Sequence, residues 1–566
     1  MVYRIADNVL SPLGMTTAEN YQALKKGSSM LKHYASYSNR KEDDYVASRF
    51  SEEQKSRLKI NGLTWFESLV YRSIQGALSN CDIDISSNRT LLVVSTTKAN
   101  IEHLYDSDYA ILQPAESVQR VADLLGITTQ PLVVCNACIS GVAALITAQR
   151  LLNSGYYDTS IVVGCDVISH FVISGFQSLK VMSQEPCRPF DIERIGLNLG
   201  EAAATIVLKG DGRKVLDDGC WILVEGAIRN DAYHISSPSP KGEGCASAIN
   251  YVVSKIGSHP LSAVNVHGTA TMFNDQMESK AIEASGLSDV PMNTLKGYFG
   301  HTLGASGILE TIITMHSVEQ GELLATRGFN EMGVSGKVNI SPSPVKIDRQ
   351  SFVKVISGFG GCNAAILFKQ DNSDRNYTFP CNYCLEQHVM ITPQMVSING
   401  QQQFFESKGC KMLTEIYKQL IGSYPKFYKM DRLSQLGFVA SELLLKQEQP
   451  RKENCSDRAV VLFNHSSSIW ADQEYAQSII VGPDYFPSPS LFVYTLPNIV
   501  CGEIALRNGY HAETSFYIIN KKDDTIINSV VQSTFCDQTL QSMVTGWIDY
   551  IDDNTFEADF KLIKRT

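Results

Sequence analysis

One stretch limits the possible folds more than any other: Val133-Val134-Cys135-Asn136-Ala137-Cys138-Ile139-Ser140-Gly141-Val142-Ala143-Ala144-Leu145. An apolar, β-branched run ends in a sharp Ala-Cys-x-Ser-Gly turn, and a small-residue helix through Ala148 and Leu151 follows at once. A strand that runs straight into a helix N-terminus belongs to layered α/β architecture. It also sets Cys138 where unpaired N–H groups and the positive end of the helix dipole favour thiolate over thiol, and where the Cys138 amide can form half of an oxyanion hole. Taken alone, the motif is more often the place of a buried structural cysteine, since free cysteines are commonly buried.

The rest of the chain has the same alternation. Residues 2 to 10 read as a strand entering the turn Ser11-Pro12-Leu13-Gly14, after which Thr17 is expected to cap a helix ending near Gly27. The polar residues from about Ser36 to Lys55 read as a surface excursion. Trp65 to Leu78 has helical spacing, with Phe66, Leu69, Val70, Ile74 and Leu78 on one stripe, and Leu91 to Val94 reads as a buried strand. A helix closing at Gly126 leads into the cysteine strand. Further strands are expected at Ser160 to Val167, Ala203 to Leu208 and Trp221 to Ile228.

Composition narrows the function. With 566 residues and 44% hydrophobic content the chain exceeds one common-sized domain and can bury a large core. A net charge of −10 leaves no basic stripe to neutralise phosphates, which argues against nucleic-acid binding. Fourteen irregularly spaced cysteines, and a start at Met1-Val2-Tyr3-Arg4 without an apolar signal region, point to the cytoplasm. No apolar run is long enough for a membrane span.

Four further motifs follow Cys138. Residues 187 to 201 contain Arg188-Pro189-Phe190-Asp191, a charged turn that alone would read as a structural loop. Val264 to Thr271 presents His267 at a strand tip with Thr269 and Thr271 beside it. Asp275 then opens a helix whose first turn it can cap, and Glu278 follows. Lys296-Gly-Tyr-Phe-Gly-His301 and the small residues up to Glu310 permit a helix N-terminus to approach another backbone closely. Gly358-Phe359-Gly360-Gly361-Cys362-Asn363 is a glycine turn between two strands, whose amides can complete an oxyanion hole. A phosphate loop would need a helix after it, so that reading is rejected.

In this order and company, Cys-x-Ser-Gly at Cys138, Arg-Pro-Phe-Asp, His-Gly-Thr-x-Thr, Lys-x-x-x-Gly-His and Gly-Phe-Gly-Gly-x-Asn resemble a β-ketoacyl synthase of the Cys-His-His type, over residues 1 to about 370. The chain departs from the family in a shorter segment before Cys138, in Cys362 where a threonine is usual, and in Val355-Ile356-Ser357 before the glycine turn. The resemblance implies a thiolase-like layered αβαβα fold and a decarboxylative Claisen condensation. Cys138 would carry the acyl group; the amides of Cys138 and Phe359 would hold the oxyanion, with Gly358 and Gly360 flanking Phe359 as a gate. Neutral His267 and His301 would stabilise the enolate, supported by a Lys296–Glu310 ion pair. Thr269 and Thr271 would bind pantetheine, while Asp275 and Glu278 would be supporting structure. Neither metal nor cofactor is expected, since substrates arrive on the phosphopantetheine of acyl carrier protein.

Residues 371–380 read as a polar linker, and 381–566 weakly repeat the first unit. Lys429 to Ala440 has the stripe of Trp65 to Leu78, Arg458 to Ser468 mirrors Arg89 to Lys98, and a helix closing at Gly509 precedes a strand from Thr514. Lys521, within about a residue, stands where Cys138 would, so the nucleophile is missing. This half resembles a truncated, inactive ketosynthase-like domain of the chain-length-factor kind, with Phe492 and Tyr494 expected at the acyl channel. Partnership within the chain or across a homodimer stays open at this point. Cys381 and Cys384 lack a second pair at metal spacing. The alternatives weighed are a thiolase-type acyltransferase, with Cys362 as second cysteine, and a non-catalytic partner subunit.

Overall fold

The computed structural model describes the chain apart from residues 39–42, 105–108, 211–218, 258–259, 349, 371–381, 447 and 481–484. The expected linker and Cys381 lie outside the described residues. One five-stranded pattern occurs three times. In the first sheet Leu132–Val134, Thr90–Ser95 and Thr159–Asp166 run parallel, followed antiparallel by Ala202–Gly210 and Val2–Leu10. Pro291–Asn293, Ala263–Asn265, Ser351–Gly358, Cys362–Lys369 and Ile222–Asn230 repeat that order and those directions. So do Thr514–Ile518, Arg458–Asn464, Ser542–Asp552, Thr555–Arg565 and Tyr383–Thr392.

The first two sheets sandwich a pair of helices, Ser140–Asn153 and Ser306–Glu319. Every residue from Ser140 to Leu152 is buried, which is why this helix has no polar stripe. Two glycines let the helices meet. A Cβ at Gly307 would lie 2.5 Å from the Val142 amide nitrogen, and one at Gly141 would lie 3.0 Å from the Gly304 oxygen. Trp65–Leu78 covers the outer face of the first sheet, started by Thr64 and Glu67 in a capping box. Glu243–Val253 covers the second. These layers are the expected αβαβα fold. The third sheet has Arg432–Leu445 on one face and Asp524–Thr534 packed toward Ser140–Asn153, and makes only half of that arrangement.

The first and third sheets join within the chain. Val134 pairs with Tyr517 and Val133 with Ile518, antiparallel, making one continuous sheet. The Cys135 amide donates to Phe516 O (3.1 Å), and the Asn136 side chain both donates to Thr514 O (3.1 Å) and accepts from the Phe516 amide (2.8 Å). Val142, Leu145 and Ile146 share one apolar core with Val461, Phe463, Ile526 and Val530. The buried pairs Arg150–Glu513 (2.7 Å) and Arg229–Asp537 (2.8 Å) cross the same boundary.

Three local expectations change. Thr16, not Thr17, caps the helix Thr17–Lys25, because Thr16 keeps the extended backbone a cap needs and accepts from the Glu19 amide. Thr17 instead donates to Asp7 (2.7 Å). Within the polar stretch, Tyr45–Ser48 is a buried strand between Leu31–Tyr34 and Leu199–Gly200, with Tyr34 and Tyr37 stacked on Tyr45. Aromatic stacking supplies there the apolar contact that the hydropathy pattern hides. Asp275 does not cap its own helix: it accepts from the Phe190 (2.8 Å) and Thr269 (3.0 Å) amides.

Candidate active site

Cys138 sits in a single 3-10 turn, Ala137–Ile139, that precedes the helix Ser140–Asn153. Ala137 holds a left-handed φ of +49°, and Ser140 closes the turn by accepting from the Asn136 amide (2.8 Å) and donating to Ala137 O (2.6 Å). The second half of the unit repeats this turn without a nucleophile: Leu303 has φ +51°, Leu303–Ala305 is the 3-10 turn, and Ser306 begins the helix. Asp166, missed in the sequence reading, ties the turns together. It accepts from the Gly304 amide (2.7 Å), the Thr97 amide (3.0 Å) and the Thr96 hydroxyl (2.8 Å).

The two histidine turns converge on Cys138. Its sulfur and one nitrogen of each ring of His267 and His301 all lie within 4.8 Å of one another, and the rings meet edge to face at 5.1 Å. Glu278 fixes the His267 turn by accepting from the His267 (2.6 Å) and Gly268 (2.8 Å) amides. His301 Nδ1 accepts from the Leu303 amide (3.3 Å), which leaves the proton on Nε2. That Nε2, and Nδ1 of His267, are buried with no protein partner among the described residues.

Behind the rings lies the expected Lys296–Glu310 ion pair at 2.5 Å. A third member was missed: Lys354 Nζ reaches the other Glu310 oxygen at 2.5 Å. Its signal was a lone lysine within the apolar run Phe352-Val353-Lys354-Val355-Ile356. Burial, followed by the charge of Lys296, holds both histidines well below the usual imidazole range, so both rings are neutral. Burial likewise pulls Lys354 down to about 8 against the attraction of Glu310.

The thiol differs from the sequence expectation. Burial pushes Cys138 up to about 12, and Lys296 offsets this only in part. A helix terminus contributes roughly 0.3–1 kcal/mol at exposed positions, less than the loss of water around a fully enclosed sulfur. Burial also raises Asp275 and Asp166 to about 6 and Glu278 to about 7.

Cys138, His267 and His301 open into a cavity of about 350 Å³ that Thr269, Thr271 and Phe359 also line. The two threonine hydroxyls lie 2.9 Å apart, and Phe273 stands at the rim, 78% exposed. Ser236, Ser237 and Pro238, from the loop after the strand Ile222–Asn230, line the same cavity and carried no sequence signal. Gly360 (φ +91°) and Gly361 (φ +72°) make the turn that presents Phe359. The far half of the chain touches this turn. Asn498 Nδ2 donates to Phe359 O (2.9 Å), and a Cβ at Gly502 would lie 2.8 Å from Gly360 O. Cys362 is held at 3.2 Å from the Thr514 hydroxyl, and burial raises its thiol to about 11.

A second cavity, about 20 Å³, lies behind Cys138 among Phe176, Phe359, Phe492, Leu496 and Lys98. Phe492 is one of its walls. Tyr494, expected at the acyl channel, is not: it packs in the core and donates to Glu503 (2.8 Å), because a buried phenol needs an acceptor. At the place corresponding to Cys138 in the third sheet there is an exposed turn, where Lys522 pairs with Glu557 and Asp559 and Asp523 caps the next helix.

A thiolase-like fold here brings a turn cysteine to face two neutral imidazoles. The family described as "Beta-ketoacyl synthase, N-terminal domain" matches residues 98–212, and "Beta-ketoacyl synthase, C-terminal domain" matches 222–330. Residues 98–212 and 222–330 thus match the two halves of the β-ketoacyl synthase family. It is 27% identical over 264 residues to Nodulation protein E of Rhizobium leguminosarum bv. trifolii, covering 45% of this chain and 66% of that protein. It is 28% identical over 247 residues to 3-oxoacyl-[acyl-carrier-protein] synthase 2 of Staphylococcus aureus, covering 41% of this chain and 61% of that protein. Among solved structures, the PfaC keto synthase–chain length factor matches over 100% of this chain and 78% of its own, at a TM-score of 0.75 and 13% identity. The ketosynthase ApeO in complex with its chain length factor ApeC, from Xenorhabdus doucetiae, matches over 65% of this chain and 98% of its own (TM-score 0.56, 23% identity). Among the described residues no helix is long and apolar enough to cross a membrane.

Proposed function

We propose that residues 1–370 catalyse the decarboxylative condensation of an acyl thioester with a malonyl thioester, and that 381–566 form a non-catalytic ketosynthase-like partner carried on the same chain, with 371–380 as the linker. The convergence of Cys138, His267 and His301 in one cavity carries this reading. The Cys138 sulfur attacks the incoming acyl carbonyl as its proton passes to an imidazole, and the carrier thiol leaves. The amides of Cys138 and Phe359 hold the oxyanion. A malonyl unit then loses carbon dioxide, and its electron pair moves into an enolate whose oxygen accepts from His301 Nε2–H and from His267. Neutral donors suit a developing anion; each typically supplies about 10²–10³-fold. The enolate carbon attacks the Cys138 thioester, the thiolate leaves, and the product is two carbons longer.

Thr269 and Thr271, on the cavity wall beside His267, are assigned to the pantetheine arm of acyl carrier protein. The charges of Lys296 and Lys354 help keep both rings neutral, and Glu310 holds the two ammoniums in place. The reaction uses only the chain's own residues and carrier-bound substrates. Cys362 is a poor thiolase base, since its thiol already faces the Thr514 hydroxyl.

Intact-mass spectrometry of the protein and of Cys138→Ala, incubated with acyl- and malonyl-loaded carrier protein, tests the reading. Acyl mass on the wild type alone, with a β-keto product two carbons longer, is the expected result. An unacylated Cys138 across a broad acyl panel would leave the chain a partner subunit.

A further inference from the structure

Asn498 comes from the half of the chain that lacks the nucleophile, yet its side chain is turned to the catalytic half. It stands immediately before the helix Ile499–Asn508, where an asparagine ordinarily caps the helix by accepting from an amide of the first turn. No such bond is made. The Nδ2 group donates instead to Phe359 O (2.9 Å), and Oδ1 is buried with no partner among the described residues. Both the helix cap and a satisfied oxygen are forgone for this one bond across the halves, so neither accounts for an asparagine here.

What the bond does follows from the turn that receives it. Gly360 and Gly361 are both left-handed, and glycine moves among conformations too freely to hold a turn by itself. Neighbours hold it. The peptide joining Phe359 to Gly360 is gripped at both ends, by Asn498 on its oxygen and by Ile235 O, which accepts from the Gly360 amide (2.7 Å). Gly360 O accepts from Asn230 Nδ2 (2.7 Å), which also donates to the Thr514 hydroxyl of the far half (3.0 Å), and Gly361 O accepts from the Asp231 amide (2.8 Å). Of these three carbonyls, only that of Phe359 is bonded by the far half directly. The Phe359 amide, by contrast, has no acceptor among the described residues. Gly358 just before it runs against the nucleophile, since a Cβ there would lie 3.1 Å from the Cys138 nitrogen. The peptide that Asn498 fixes therefore adjoins the N–H assigned to the oxyanion.

Resting on the proposed condensation, we propose that Asn498 is a positioning residue, through which the non-catalytic half sets the Phe359 amide and so completes the oxyanion hole of the catalytic half. The test compares two reactions of Cys138, each followed by intact mass over time: loading from an acyl carrier thioester, which forms an oxyanion, and alkylation by iodoacetamide, which forms none. The variants are Asn498→Ala, which removes donor and unpaired oxygen together, and Asn498→Leu, which keeps a branched side chain without a donor, with folding checked by circular dichroism. Loading should slow by about ten- to a hundredfold, the scale of a displaced donor, while alkylation is not slowed. Loading at the wild-type rate overturns the inference. So does equal slowing of both reactions, which would place the effect at the cysteine turn, and so does failure of both variants to fold, which would make Asn498 structural. Failure of every acyl group to load on the wild type overturns the condensation itself, and this inference with it.

Discussion

Cys138 illustrates two effects of opposite sign on one atom. The helix N-terminus favours the thiolate, but enclosure favours the thiol, and with the sulfur buried the second prevails. Because its thiol lies above neutral pH, the reactive thiolate fraction must rise with pH. The rate of iodoacetamide alkylation at Cys138, followed by mass, should climb about tenfold per pH unit between pH 7 and 9; a plateau below pH 7 would show a lowered thiol instead. His267 and His301 stay neutral throughout that range, since both titrate below the usual imidazole range, so neither imidazole contributes to the slope. Glu310 is the other residue on which the site depends. It neutralises two ammoniums that are at most 1% exposed. Glu310→Gln leaves them uncompensated and should lower the unfolding free energy by about 3–5 kcal/mol in a denaturant titration.

Among elements, the contact between the two central helices decides the site, because each supplies the turn that faces the other's. Gly141 and Gly307 set how near they come. Gly307→Ala would gain up to about 1 kcal/mol of helix propensity, yet its methyl would meet the Val142 backbone, which cannot step aside as a side chain can. A net loss of about 1–3 kcal/mol is expected in thermal or chemical unfolding, with slower acyl loading of Cys138 as the turn shifts. A neutral or stabilised variant would show that the helices have room to part. Small residues after Cys138 and after His301 were legible as a close approach, but which helix meets which was not. The glycine turns at Phe359 and Gly300 were legible for a related reason: a left-handed backbone leaves its mark on residue type.

At the scale of the whole molecule, the continuous sheet, the shared apolar core and the buried ion pairs make the two halves one body. A chain cut at a protease site introduced within 371–380 should still elute as one particle in size-exclusion chromatography, because an interface that resembles a divided core does not part when its tether is cut. Separate elution of the two pieces would show that the tether holds them. Asn136 marks the seam: its side chain bonds both Thr514 and Phe516 two residues before the nucleophile, so the non-catalytic half abuts the turn that presents Cys138.

Strand and helix order, the weak repeat of the first unit in the second half and the five motifs could all be read in residue order. Each depends on local periodicity, turn chemistry or residues close in the chain. Lys354, Asp166, Lys98 and Asn498 could not, because each acts on a partner far away in sequence: Glu310, Gly304, Asp472 and Phe359. The same holds for the protonation of Cys138, which depends on how completely other elements exclude water. The chain itself determined which residues are available to react. Tertiary structure decided which of them meet, which are charged, and that the second half closes over the first within one chain, since burial and long-range pairing exist only once the sheets have joined.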